Sequence, residues 1–418
     1  MSEPVSEQTD TAPSRRRPTS PGGEGVPATA ADASPESPAT VENWLEPPAN
    51  RWAFNHAEPL FDTAVIPRGH TACRRFVPAG TKLDEVPIAT ADGSSTVAEF
   101  LARTATDAIV VLRGDQLLFE RYYGEAAPDR RHALMSISKS IAGMAAGCLV
   151  ADGTLDVSAP VRSYVPELAS SAYGTATVRD VLDMTAALHY SQDYDDPGSQ
   201  VRIGDRAAGW RPRHDGDPDG VRAFLAGLAP DGPHGLRFQY CSATTDVLAW
   251  VLERAAGRPY PDLLGERIWS RIGAEHDAVI TLDPVGNPYA CAGIHATARD
   301  LARFGRCVLD GGMVAGRQVI PEEWVRATRR GGRTAVLPDR DLGSIYPHGT
   351  YRNQWWAPGD SVGTFFGIGI FGQYLWLDPV RNVVIVKFSS LPHPRDGRAE
   401  HAAALAAIAE AVDGARAM

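Results

Sequence analysis

The sequence predicts an α/β (α+β) domain, an antiparallel sheet flanked by helices, with an all-α domain inserted into it. Three observations carry this. Apolar, β-branched runs cluster near residues 108–123 and again near 365–388, and the stretch between 161 and 272 reads only as helices and long polar loops. Strands on both sides of a helical block imply one domain interrupted by another. The expected layout is a disordered tail over 1–41, an α/β domain formed by 42–160 and 273–418, and a helical domain with a functional loop over 161–272.

Taken in order, residues 1–41 are poor in hydrophobic groups and rich in proline, so they cannot bury enough surface to offset the entropy of ordering. Order is expected near Trp44, where Trp44, Trp52 and Phe54 supply a docking segment. Loop-like sequence then runs to Val97. Ala108–Leu112 and Gln116–Tyr123, joined by Arg113-Gly114-Asp115, read as a β-hairpin. An apolar, small-residue helix follows from Ser136 to Val150. In the inserted block, Thr177–Met184, Gly220–Leu228 and Thr244–Ala256 read as helices. The segment from Tyr190 to Trp210 has no periodicity but carries aromatics and carboxylates, the profile of a functional loop. From Ile294 a helix is expected through Phe304, then strands at Phe365–Phe371, Gln373–Leu377 and Asn382–Phe388, and a closing helix from Glu400 to Val412.

Composition narrows the function. With 418 residues and 44% hydrophobic content the chain can bury a large core, and a net charge of −10 with no basic stripe argues against nucleic-acid or anionic-membrane partners. Five widely spaced cysteines without a C-x-x-C pair suggest neither a disulfide framework nor a zinc site, so no metal or cofactor is expected and a reducing compartment fits. Ser14-Arg15-Arg16-Arg17 is followed by no apolar segment, which leaves a cytoplasmic location as the expectation. No apolar run is long enough to span a membrane. A homodimer is the default oligomeric expectation.

The chemistry gathers at Leu134-Met135-Ser136-Ile137-Ser138-Lys139-Ser140. Ser136 and Lys139, three residues apart on a helix, bring their side chains onto one face, about 5–6 Å apart at Cβ. A serine hydroxyl becomes nucleophilic when a neighbouring base takes its proton, and lysine can be tuned to that task by a depressed pKa where arginine cannot. Of 41 Lys plus Arg, only Lys82, Lys139 and Lys387 are lysines, and neither of the others follows a serine by three residues. The four-residue pattern alone more often marks a surface pair; the lysine scarcity and the blocks below turn it towards catalysis.

Those blocks are W-L-E-P-P-A-N-R-W-A-F from Trp44, L-M-S-I-S-K-S, V-L-D-M-T, the Tyr194 loop, D-R-A-A-G-W ending at Trp210, F-Q-Y-C-S around Tyr240, Q-W-W ending at Trp356, and G-I-G-I-F-G followed by L-W-L-D-P. Together they resemble the serine β-lactamase and penicillin-recognising superfamily, in its class C-like branch, and within it the 6-aminohexanoate-dimer hydrolases. The resemblance implies a β-lactamase-like sheet and a small-molecule amide or ester substrate. It makes Ser136 the nucleophile, Lys139 its proton acceptor and Tyr240 a second base, useful only if a neighbouring ammonium lowers its pKa. The backbone N–H groups of Ser136 and Ile370 would form the oxyanion hole, with Gly369 leaving room for substrate. Asp205 would face a substrate ammonium, Tyr194 would donate to the scissile amide nitrogen, and Trp210 and Trp356 would flank the chain. Read alone, Tyr240 is a core tyrosine, Asp205 a partner for Arg202 or Arg206, and the tryptophans simple packing.

Two departures from the family pattern stand out. Cys291 replaces an asparagine near the catalytic tyrosine and Phe371 replaces a histidine, which makes the site more apolar and shifts the expected balance from amide towards ester. The lysine of the usual Lys-Thr-Gly strand is missing from Gly367-Ile368-Gly369-Ile370, which disfavours β-lactam or D-Ala-D-Ala peptide cleavage. A general carboxylesterase and a non-catalytic binding module are the remaining alternatives; the intact Ser136, Lys139 and Tyr240 set argues against the latter. Gly359-Asp360-Ser361-Val362-Gly363 fits the G-x-S-x-G pattern without the strand and helix that a nucleophile elbow requires.

Overall fold

The computed structural model describes residues 39–90, 93–332 and 342–414. Of the disordered tail expected over 1–41, residues 1–38 lie outside them. Ala39, five residues before Trp44, is buried.

The main sheet has eight strands: β1 (Val77–Pro78), β2 (Thr106–Arg113), β3 (Gln116–Tyr122), β4 (Thr350–Arg352), β5 (Trp355–Ala357), β6 (Phe365–Gly369), β7 (Gln373–Asp378) and β8 (Val383–Ser389). Their order is β4-β5-β6-β7-β8-β2-β3-β1, antiparallel throughout except where β1 joins β3 in parallel. The N-terminal hairpin thus pairs with the last strand of the chain, which closes one domain around the intervening sequence.

Alternation along β2 and β8 sorts the two faces. Val110, Leu112, Val384 and Val386 pack with the helices α1 (Ile137–Ala151), α2 (Ser242–Ala256) and α3 (Ala298–Leu309), whereas Ile109, Val111, Val383 and Ile385 pack with the closing helix α4 (Arg398–Gly414). Because both faces are covered, these strands read as continuous apolar runs rather than as alternation.

Helix α1 is buried from Ile137 to Leu149. Its glycines let neighbours come close: a Cβ at Gly143 would lie 1.9 Å from the Asn353 carbonyl oxygen, and one at Gly147 2.4 Å from the Trp324 ring. The residues of the inserted block share a core with α1. There, Thr177 and Ser199 cap the short helices Val178–Leu182 and Gln200–Ala207.

Two expectations fail, both for want of local signal. The stretch read as loop before Val97 contains the strand Thr63–Ile66 and a hairpin of Pro87–Thr90 with Gly93–Thr96. Thr63–Ile66 is four residues long and pairs with the distant Ala278–Thr281, so only tertiary contact defines it. Ile294–Ala296 is a strand of that same small sheet, and α3 starts only at Ala298, where the Thr297 side chain accepts from the Asp300 N–H. No helix among the described residues is long and apolar enough to cross a membrane.

Candidate active site

Ser136 caps the N-terminus of α1, directly after Met135, which is held at φ +47°. A non-glycine residue in the left-handed region is strained unless its surroundings fix it, and here Leu134 N–H donates to the Ile294 carbonyl and Ile294 N–H to Ser138 Oγ. The strained turn sets Ser136 Oγ at the positive end of the helix, where negative charge on oxygen is favoured.

Lys139 is buried. Its Nζ donates to Ser136 Oγ at 2.8 Å and to the Cys291 carbonyl at 2.7 Å, and it lies 5.3 Å from the Tyr240 ring centre. Burial opposes its charge, but Tyr240, Cys291, Tyr194 and Asp246 work the other way and prevail, so the amine is held above the ordinary lysine value. This reverses the depressed amine expected from the sequence. Three of those four partners are phenols or a thiol, which act as counter-charges only after losing a proton. Burial holds Tyr194 and Cys291 protonated, which leaves Lys139 and Tyr240 as the set that can exchange protons with Ser136.

Two adjoining halves of a cleft share Ser136, Tyr194 and Ile370. One is lined by Gln192, Tyr240, Trp356, Gly369, Arg395 and Arg398, the other by Asp205, Trp210, Arg211, Tyr289, Cys291 and Phe371. A roomier cleft bordered by Thr71, Arg74, Arg271 and Gln318 has no serine–lysine pair on its wall. Among the described residues no cluster of His, Cys, Asp or Glu could hold a metal.

All eleven residues singled out from the sequence line this cleft except Lys139, which sits beneath it and reaches Ser136. Trp356 stacks on Tyr240 with centroids 5.4 Å apart. Trp210 is fixed by the edges of Trp44 and Tyr289, each 4.8 Å away, and donates from Nε1 to Thr281 Oγ1. Phe371 packs on Phe54 at 5.4 Å. Gln192 Nε2 donates to the Tyr194 hydroxyl at 2.6 Å, and burial pushes that phenol up to about 12, so it keeps its proton. Asp205 accepts from the Tyr289 hydroxyl at 2.8 Å and faces Arg211 at 3.5 Å; of the partners considered from sequence, Arg206 pairs with Asp217 instead, and burial raises the Asp205 pKa against the pull of Arg211 and Arg202.

Gly369 also has a structural purpose. A Cβ there would lie 2.8 Å from the Leu134 carbonyl oxygen and from Met135 Cβ, so the missing side chain lets β6 close on the nucleophile turn. Ser361 is exposed in a turn followed by β6, not by a helix, and Ser361→Ala is expected to retain full hydrolytic activity in a rate assay.

The β-lactamase family profile matches residues 94–410 of the chain. A 6-aminohexanoate-dimer hydrolase of Paenarthrobacter ureafaciens is 45% identical over 359 residues, which is 85% of this chain and 89% of that protein. The chain belongs to the β-lactamase family, in its 6-aminohexanoate-dimer hydrolase branch. A Bacillus anthracis protein ascribed to the same hydrolases superposes with a TM-score of 0.83 at 28% identity, covering 91% of this chain and 99% of that one. EstCE1, a hydrolase with promiscuous acyltransferase activity, shares the fold at TM-score 0.58 and 17% identity over 76% of this chain and 97% of its own. The chain is accordingly a serine hydrolase of β-lactamase fold.

In this hydrolase the exchange of asparagine for Cys291 leaves the lysine's acceptor intact, because Lys139 bonds the Cys291 backbone carbonyl and not its side chain. The thiol stays protonated, raised by burial. Sequence reading missed Asp246. It lies on α2, one turn after Ser242, and accepts from the Cys291 N–H at 2.9 Å, so it fixes the loop that holds Lys139. Its only sequence signal is an acid in an otherwise apolar stretch of helix. Burial raises the Asp246 carboxyl to about 7. An acid raised on folding binds more protons folded than unfolded between its two pKa values, so it lowers stability as pH climbs from about 4 to about 7. Asp246→Asn keeps the acceptor but removes the charge. Its stability is expected to match wild type at pH 4 and to gain on it by at most about 1.4 kcal/mol per pH unit up to pH 7, measured by urea unfolding.

Proposed function

We propose that the chain hydrolyses small linear amides of the 6-aminohexanoate-oligomer type, and short esters, through an acyl-enzyme on Ser136. The observation that carries this reading is a buried carboxylate, Asp205, in the same aromatic-walled cleft as the Ser136–Lys139 pair. An amphiphilic chain with a terminal ammonium matches that arrangement.

In this mechanism Ser136 Oγ attacks the scissile carbonyl while its proton passes into the Lys139–Tyr240 set. The N–H groups of Ser136 and Ile370 receive the oxyanion. Tyr194, protonated and oriented by Gln192, donates to the amide nitrogen, and the amine leaves with a proton drawn from the same set. Water then enters, loses a proton to Tyr240 and attacks the acyl carbonyl, and Ser136 Oγ takes a proton back from the set as its bond to the acid breaks. The apolar Phe371 and the buried Cys291 favour esters alongside amides. A cytoplasmic location is also proposed, supported by five free thiols.

Initial rates on a short p-nitrophenyl ester, the linear 6-aminohexanoate dimer and a chromogenic cephalosporin test it. Cleavage of the first two and not the third is expected, with Asp205→Asn raising KM for the dimer but not for the ester. A preference for the cephalosporin, or no cleavage of the dimer, would contradict it.

A further inference from the structure

The two halves of the cleft differ in how their charges are matched: Asp205 is faced by Arg211 in its own half, whereas no carboxylate is among the described residues that line the other half with Arg395 and Arg398. The arginine half lies on the far side of Ser136 and Tyr194. Arg395 is exposed, donates to the Gln192 carbonyl at 2.9 Å and lies with its guanidinium carbon 5.5 Å from the centre of the Tyr194 ring. Gln192 is also the residue that bonds the Tyr194 hydroxyl and Ser242 Oγ. The guanidinium is thus set against the very loop that carries the proposed donor to the leaving nitrogen, on a segment, 394–398, that borders both halves of the cleft.

We infer that Arg395, with Arg398 beside it, forms a subsite for a carboxylate at the far end of the leaving group, so that the cleft selects substrates whose departing half is an ω-amino or ω-hydroxy acid. This rests on the amide reading above and extends it. An ω-amino-acid dimer is a zwitterion with its ammonium on the acyl half and its carboxylate on the leaving half. With the ammonium towards Asp205 and the amide at Ser136, the leaving half must enter the side that the arginines line. A guanidinium suits this task, since its planar fork pairs with both carboxylate oxygens. Placed at the exposed rim, it would also draw anionic substrates towards the cleft, an effect weakened by salt.

The test uses two substrate pairs that differ only in the end of the leaving group: the 6-aminohexanoate dimer and its C-terminal carboxamide, and the butanoyl esters of 6-hydroxyhexanoate and of 6-hydroxyhexanamide. Kinetics are measured for wild type, Arg395→Gln, Arg395→Lys and Arg395→Gln/Arg398→Gln. Arg395→Gln is expected to raise KM about five- to twenty-fold more for the carboxylate member of each pair than for the carboxamide member, with Arg395→Lys recovering part of that difference. The double variant is expected to lose all discrimination between the members. An equal loss on carboxylate and carboxamide would mean that Arg395 only packs the Tyr194 loop, and no change would mean that it meets no substrate; either overturns the subsite. If the amides are inert but the ester pair shows the discrimination, the subsite stands and the amide reading falls. If the dimer is cleaved without discrimination, the reverse holds.

Discussion

Replacing Ser136 by alanine lowers kcat/KM by about 10⁴-fold or more on every substrate while the protein stays folded. The oxygen removed is the one that Lys139 Nζ donates to at 2.8 Å, and the cleft offers no second hydroxyl paired with that amine. Folding is spared because Ser136 sits at the helix end without a side-chain capping bond, so the loss of Oγ leaves no backbone donor unpaired. Circular dichroism and thermal unfolding of Ser136→Ala are expected to overlay wild type. A variant that retained a tenth of the activity would place the nucleophile elsewhere.

The second large effect is expected for Lys139→Met, with a fall of about 10³-fold in kcat/KM. Methionine fills much the same buried volume, so α1 keeps its packing against α2 and β6. What disappears is the charge at the centre of the proton-exchanging set. Ser136 Oγ loses its donor, Tyr240 loses the cation near its ring, and the Cys291 carbonyl loses a partner at 2.7 Å. The unpaired carbonyl should cost about 1–3 kcal/mol of stability, read as a lower urea midpoint with an unchanged slope. Loss of the ammonium also removes a counter-charge from buried Asp246, whose carboxyl should then stay protonated to higher pH. Lys139→Arg is not expected to rescue activity, because a guanidinium cannot give up and regain a proton.

How much of this was legible in the sequence follows from the range of each interaction. Ser136 and Lys139 meet across a single helical turn, so spacing alone was enough, and the scarcity of lysine made the pair stand out. The central strands were equally plain, because burial on both faces writes them as unbroken apolar runs. Asp246 was hidden because its partner, Cys291, is 45 residues away and is bonded through a backbone N–H that any residue would supply. The packing need for Gly369 was hidden because the atoms that exclude a Cβ belong to Leu134 and Met135, which only the folded sheet brings near. The direction of the Lys139 shift was likewise a property of four side chains from separate segments, summed at one buried point. Thr63–Ile66 escaped as a strand because its pairing partner, Ala278–Thr281, begins more than 200 residues later.

Trapping the covalent intermediate tests the central claim most directly. Wild-type protein would be incubated with a fluorophosphonate, digested and analysed by mass spectrometry, with Ser136→Ala and Ser361→Ala treated in parallel. The Ser136 mechanism predicts one adduct per chain, on the peptide containing Ser136, in wild type and in Ser361→Ala, and none in Ser136→Ala. An adduct that persists in Ser136→Ala, or folded wild-type protein that hydrolyses the ester yet takes up no label, would contradict it.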